Sequence, residues 1–338
     1  MVFLNLNRGK TMTKESLSIV VSAYNEEGNI EPLYKELQKV IKDISLRKTE
    51  IIFVDDGSSD KTYEKCVNLQ KKDKRVKIVQ LKRNFGHEIA MTAGMDYAKG
   101  DAVIFMDADL QHPPFYIRQM VEEWQNGSEI VLTRRVDNVA TSAFYKFCAK
   151  TFYWILNLLS DTKIPEKTPD FRLIDRKYID FLKNFNEQDR LFRGLLSWIM
   201  PNDKVKVIDF VAPERLSGES KYNFRKSLQL ALNSIMQFSV RPLRFSTYLG
   251  LISAFVSLLL GVYVIGEHFI MHRPTPGYAT IMTTVIFLGS VQLIVLGIIG
   301  EYIGKIHMEV KKRPLYIADY VDEGEKKKVV KHASEKNN

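Results

Sequence analysis

The stretch Asp101-Ala-Val-Ile-Phe-Met106-Asp107-Ala108-Asp109-Leu110-Gln111-His112-Pro113-Pro114 decides the fold. An apolar, β-branched run ends abruptly in two carboxylates, and a Pro-Pro pair then opens a helix. That is a buried strand leading through a polar turn into a helix. The same grammar recurs upstream. Leu17–Ser22 and Glu50–Val54 are strands ending in Ala23-Tyr24-Asn25-Glu26-Glu27 and Asp55-Asp56-Gly57-Ser58. Behind the first, Ile30, Leu33, Leu37, Val40, Ile41 and Ile44 recur at helical spacing, and behind the second Ser59 or Asp60 can cap a helix. Val76–Leu81 with a helix over 87–98, and Glu129–Thr133, complete the pattern. Strands separated by helices predict an α/β domain, a mostly parallel sheet with helices on both faces. Ligands of such sheets bind beyond the carboxyl ends of the strands, where these acidic turns lie.

Composition divides the 338 residues in two. Up to about residue 240 apolar residues alternate with charges; between 245 and 303 they crowd together. The stretches 245–265 and 280–303 are each long enough to cross the ~30 Å hydrocarbon core at ~1.5 Å rise per residue. Arg241 and Arg244 precede them, Lys305, Lys311, Lys312 and Arg313 follow, and a short loop with Pro274, Pro276 and Gly277 joins them. The positive-inside bias puts both ends in the cytoplasm. The segments 143–159 and 224–240 carry aromatics with flanking lysines or arginines, a pattern of helices at a membrane interface, although packing on the sheet suits 143–159 equally.

The net charge of +9 fits an anionic membrane surface or a phosphorylated substrate. No zinc-finger spacing or aromatic-basic RNA-binding signature is present, which argues against nucleic acid. Cys66 and Cys148 are far apart and read as reduced thiols. Arg8-Gly9-Lys10-Thr11 lacks the upstream glycine and strand of a phosphate loop. The domain reading is therefore a disordered leader at 1–15, a cytoplasmic catalytic domain at 16–222, a juxtamembrane helix at 223–244, two spans within 245–304 and a basic tail at 305–338.

Asp107 and Asp109 stand two apart, so in extended chain both point to one side, and Gln111 continues the alternation. Such oxygen ligands suit Mg²⁺ or Mn²⁺, which leave coordination positions for substrate phosphates. With Asp55 and Glu26 at neighbouring strand ends, the spacing becomes specific.

By these motifs the chain resembles the family 2 inverting glycosyltransferases of GT-A fold, and more closely the polyprenyl-phosphate glycosyltransferases. Also matching are Arg83-Asn84-Phe85-Gly86, Asp170-Phe171-Arg172-Leu173, Ser220-Lys221-Tyr222 and the C-terminal stretch from Gly289 through Gly300-Glu301-Tyr302-Ile303-Gly304 to Lys312-Arg313-Pro314. The resemblance covers Leu17 to about Tyr316. It implies nucleotide contacts from Ala23, Tyr24, Glu26, Asp55, Asp56, Asp107 and Ala108, with Tyr24, Glu26 and Asp55 on base and ribose. It implies a metal on Asp107, Asp109 and Gln111, and a lipid phosphate met by Arg135 and Arg172. Asp170 falls where other members keep a base, and orienting sugar or acceptor is the role expected here. Two departures stand out: Pro169 replaces a glycine, and His87 replaces a lysine. The implied substrates are a nucleotide-sugar, a UDP-hexose by analogy, and undecaprenyl phosphate. Self-association of the spans stays open. A processive synthase would carry Gln-x-x-Arg-Trp, absent here; a non-catalytic scaffold would have lost the acidic residues.

Overall fold

A computed structural model describes residues 14–136, 168–185, 187–188, 190, 192–200, 203–211, 241–271, 277–322 and 327–328. The expected segments 143–159 and 224–240, the Ser220-Lys221-Tyr222 motif, Cys148, most of the leader and the loop prolines lie outside these residues.

Each expected strand forms. β1 (Ser16–Ala23), β2 (Lys48–Asp55), β3 (Val76–Leu81) and β4 (Ala102–Asp107) make the parallel centre, in the order β3-β2-β1-β4. β5 (Ile130–Arg135), β6 (Arg172–Asp175) and β7 (Val205–Phe210) extend it beyond β4, while β8 (Ala318–Asp322) and β9 (Lys327–Lys328) extend it beyond β3. The flanks are mixed, because β6 runs antiparallel between β4 and β5 and because β8 pairs antiparallel with β3. Every crossover of the parallel centre carries a helix, and β5 and β7 pair parallel again at the flank beyond β6.

Those crossovers are α1 (Ile30–Asp43), α2 (Thr62–Lys72) and α3 (His87–Tyr97), followed by α4 (Tyr116–Gln125) after β4. α1 buries Ile30, Leu33, Tyr34, Leu37, Val40 and Ile41 against one sheet face, together with α2 and α4, Ile19, Phe53 and Ile104. Such buried aliphatic or aromatic side chains contribute about 1.5–3 kcal/mol each relative to exposure. α3 covers the opposite face, which carries Val20 and Val54. It approaches so closely at Gly94 that an added Cβ would lie 3.0 Å from the Val54 methyl. α5 (Arg176–Lys183) and α6 (Phe192–Ile199) follow β6, and the Phe192 ring lies 4.9 Å from that of Phe105 on β4.

Register brings the acidic strand ends level. Ala23 of β1 pairs with Asp55 of β2, and Ser22 pairs with Asp107 of β4. The turns behind them interlock. Asn25, at a left-handed φ of 55°, donates its N–H to Ser58 Oγ and accepts from Ser59 N, while Glu27 N donates to Asp60 and Lys61 N to Glu27. Asp60 also accepts from Thr62 N, but the N-cap position of α2 falls on Lys61 without a side-chain cap, so neither Ser59 nor Asp60 takes the expected capping role.

A second compact unit comprises 142–163 and 222–313; the sheet domain takes in the chain on both sides of it. Its described part is two helices, α7 (Arg241–Met271) and α8 (Tyr278–Val310), longer than the apolar stretches expected at 245–265 and 280–303. Leu251, Phe255, Leu258, Ile286, Leu293 and Ile294 on them are all exposed, the pattern of helices whose solvent is lipid. After α8, within the stretch read as basic tail, the chain rejoins the sheet. Tyr316 and Val321 are buried, Tyr316 Oη donates to Asp96 at 2.8 Å, and Lys82 N donates to Ile317 O. The alternation of buried and exposed residues through 316–319 is strand periodicity, which the neighbouring charges obscure.

Candidate active site

Asp55 ends β2 fully buried. Its Oδ1 accepts from Ser58 N at 3.1 Å, whereas Oδ2 has no partner. Burial pushes its carboxyl pKa up. An orphaned buried acceptor is costly to keep and marks a place built for a donor group. Asp56 turns the other way: its two oxygens accept from Phe85 N at 2.7 Å and Gly86 N at 2.9 Å. Its carboxylate thus holds the Arg83–Gly86 loop that opens α3. Gly57 (φ 67°) lets this loop close in, since a Cβ there would stand 2.6 Å from Arg83 Cα. Tyr24 is exposed beside these turns, and the Glu26 carboxylate accepts from Asn29 Nδ2 at 2.6 Å.

At the end of β4, Asp107 accepts from Ser22 Oγ at 3.0 Å, and its own N–H donates to His112 Nδ1 at 3.0 Å. His112 is buried and stacked on Phe171, and its accepting Nδ1 places the ring proton on Nε2. Ala108 is buried, with its N–H on Ser22 O. The expected alternation stops there. Asp109 Oδ1 accepts from Gln111 N at 3.0 Å and Leu110 sits at φ 63°, so the chain turns at Leu110 and Gln111 does not continue an extended strand. Among the described residues no three metal-ligating side chains come together.

His87, the first residue of α3, links this strand end to a second carboxylate. Its Nδ1 lies 3.1 Å from Ser22 Oγ and 3.3 Å from Asp107 Oδ1; its Nε2 lies 3.3 Å from Asp170 Oδ2. Burial disfavours the charged ring, but Asp107 and Asp170 outweigh it and lift the pKa to about 10. At neutral pH it is an imidazolium with both N–H groups aimed at acids.

Asp170 gathers three cations. Arg172 Nη2 donates to its Oδ1 and, at 3.1 Å, to Pro169 O; Arg193 donates through Nε at 3.1 Å and Nη2 at 2.8 Å; His87 is the third. Burial raises the Asp170 pKa, but Arg172, His87 and Arg193 more than reverse it and hold the carboxyl well below the usual range. A carboxylate so stabilised is a weak proton acceptor. Arg172 is buried, with its Nε unpartnered and its guanidinium over the Phe192 ring. Arg135, the other expected lipid-phosphate residue, ends β5 in an exposed position, opposite Phe210 of β7.

Sequence reading passed over three participants. Ser22 joins Asp107 to His87; Glu88 accepts from Phe192 N at 2.8 Å, with a pKa lifted by burial to about 6; Arg193 shares Asp170. Glu88 had a legible cue, an acid in the first turn of a helix at the site. Arg193 had none, because its helix returns to the site only in three dimensions.

The edge combines an orphaned acceptor, a pair of carboxylates at a strand end and clustered guanidinium groups, the equipment for handling a diphosphate-bearing substrate. Residues 18–182 match glycosyl transferase family 2, and residues 241–306 match the GtrB C-terminal hairpin. An uncharacterized glycosyltransferase of Synechocystis is 42% identical over 89% of this chain and 94% of its own length. The YkcC glycosyltransferase of Bacillus subtilis is 40% identical over 89% and 92%. The SfII prophage-derived bactoprenol glucosyl transferase of Shigella flexneri is 40% identical over 89% and 96%. The chain belongs to glycosyl transferase family 2 and is a glycosyltransferase.

Proposed function

We propose that this glycosyltransferase moves a hexose from a UDP-sugar to undecaprenyl phosphate at the cytoplasmic face of a membrane, with inversion at the anomeric carbon. The observation that carries this reading is the insertion of a bilayer-length helical hairpin within a family 2 catalytic fold. Chain from both sides of the hairpin builds one sheet domain, so with two spans both ends belong on the same side. The flanking arginines and lysines favour the cytoplasm. The bactoprenol glucosyl transferases among its relatives support the lipid acceptor.

Asp107 and Asp109 fit Mg²⁺ or Mn²⁺, because such ions are held through one or two carboxylates together with substrate phosphates. When bound there, the metal would offset charge on the departing nucleotide diphosphate. Asp55 Oδ2 offers the acceptor for a base N–H, with exposed Tyr24 alongside as a stacking surface. His87 fixes Asp107 between Ser22 and its own ring. The acceptor phosphate has a second pKa of about 6 and reaches the site already anionic, so no strong base is needed. Asp170, held ionised by three cations, orients rather than deprotonates.

Transfer of labelled sugar to undecaprenyl phosphate, across a panel of UDP- and GDP-sugars, tests this. One lipid-linked monosaccharide, lost with EDTA and in Asp109→Ala, is the expected result. Nucleotide binding without product from any donor would refute the acceptor; absence of nucleotide binding would favour a non-catalytic scaffold.

A further inference from the structure

The cations on Asp170 are not equivalent. The Arg172 side chain is 3% exposed, shut in by Pro169 O and the Phe192 ring. The Arg193 side chain reaches the same carboxylate by its Nε and Nη2 while 40% of it remains exposed. A guanidinium anchored by two hydrogen bonds and still partly exposed has lost rotamer freedom beforehand, so it can bind a phosphate with little further ordering cost.

Its carrier is equally fixed. Phe192 N donates to Glu88 Oε2, and the Phe192 ring packs on Phe105, two residues before Asp107. The first turns of α6 and α3 are thereby stitched together. From Arg193 the contacts run through Asp170 and His87 to Asp107, each step 3.3 Å or less. One carboxylate and one imidazole separate Arg193 from the strand end expected to face the diphosphate.

We infer that Arg193 is the guanidinium that contacts a substrate phosphate at this edge, and that buried Arg172 is a positioning residue that holds Asp170 for it. The inference rests on the glycosyl-transfer reading and deepens it by naming the contact. The phosphate is a monoester on the lipid acceptor or the diphosphate of the donor, and the two sources give different kinetics.

The test uses the full chain in lipid nanodiscs with Arg193→Ala and Arg193→Lys. It measures KM and kcat for polyprenyl phosphate, Kd for UDP with Mg²⁺, and Tm. For Arg193→Ala the acceptor KM is expected to rise about 10- to 100-fold, the size of a lost charge-assisted contact. The UDP Kd and Tm should hold, and lysine should recover part of the loss. A rise of the same size in the UDP Kd instead would also support a phosphate contact and assign it to the donor. Unchanged KM and Kd, or a fall in Tm that alone accounts for the lost activity, would overturn the inference. A wild-type chain without transferase activity would refute the proposed function separately. The affinity for a short-chain prenyl monophosphate then decides: a loss in Arg193→Ala supports the contact, and equal affinity overturns it.

Discussion

Asp170 and Arg172 lie two residues apart and form a buried ion pair, their side chains 5% and 3% exposed, with Asp170 in the turn before β6 and Arg172 at its first position. Alternation along an extended chain puts positions i and i+2 on one side, so the pair is made locally and the sheet supplies its burial. Removing one partner of such a pair strands the other charge. Arg172→Ala is expected to destabilise the domain by about 3 kcal/mol, with His87 and Arg193 left to share Asp170. Thermal unfolding in detergent checks this, and an unchanged Tm would contradict the buried pair.

Asp55 sets stability against binding. Its pKa is raised by burial, so the folded state favours the neutral acid, and ionisation at neutral pH costs stability. Asp55→Asn removes that charge while keeping an oxygen for Ser58 N. The variant is expected to hold or raise Tm and to weaken UDP binding about tenfold or more. Titration calorimetry beside a melting curve separates the two effects, and unchanged UDP affinity would remove Asp55 from the nucleotide site.

His87 predicts a pH dependence with a definite sign. Its folded pKa is about 10 against 6.5 for a free ring, so its stabilisation is complete below about 6.5. It is lost progressively as pH rises towards 10, because the unfolded state then binds fewer protons. The wild-type Tm should fall across that window, and His87→Gln should flatten the decline. The pH range is set by the Asp107 and Asp170 contacts, so a decline of equal slope in the variant would show that other groups cause it.

Gly57→Ala should be disproportionately damaging for one methyl group. The new Cβ would meet the Arg83 and Asn84 backbone at 2.6 and 2.8 Å, from a left-handed residue. A cost of about 1–3 kcal/mol and displacement of the Arg83–Gly86 loop are expected. Since that loop delivers His87, activity should fall further than stability; equal losses would make Gly57 a purely structural glycine.

The fold was legible where periodicity was strong. Val76–Leu81 reads as a strand from the string alone, the stripe from Ile30 to Ile41 reads as a helix, and the carboxylates after β2 and β4 do fall level at one sheet edge. What eluded reading is what the sheet assembles across distance. The antiparallel β6 is four residues long and carries two charges, so no alternation announces it. Arg193 and Glu88 are ordinary helix residues until α6 folds onto α3. Gln111 was placed on an extended chain, but an Asx turn at Asp109 ended it locally. Asp56 belongs to the same acidic motif as Asp55 and faces a backbone loop; a string of letters cannot say which of two adjacent acids turns inward.

The strand at Ala318–Asp322 has a consequence for how the molecule is made. It closes the β3 edge of the sheet, and it lies beyond both apolar helices in the chain. Synthesis proceeds from the N-terminus, so both helices leave the ribosome before β3 gains its final neighbour. Until then β3 presents an unpaired edge, which attracts aggregation. On the proposed topology the hairpin is thus available for insertion before the catalytic domain is complete, and a chain stalled after it would lack the strand that covers β3. The order of residues along the polypeptide makes the last covering strand of β3 wait for both apolar helices to be synthesised.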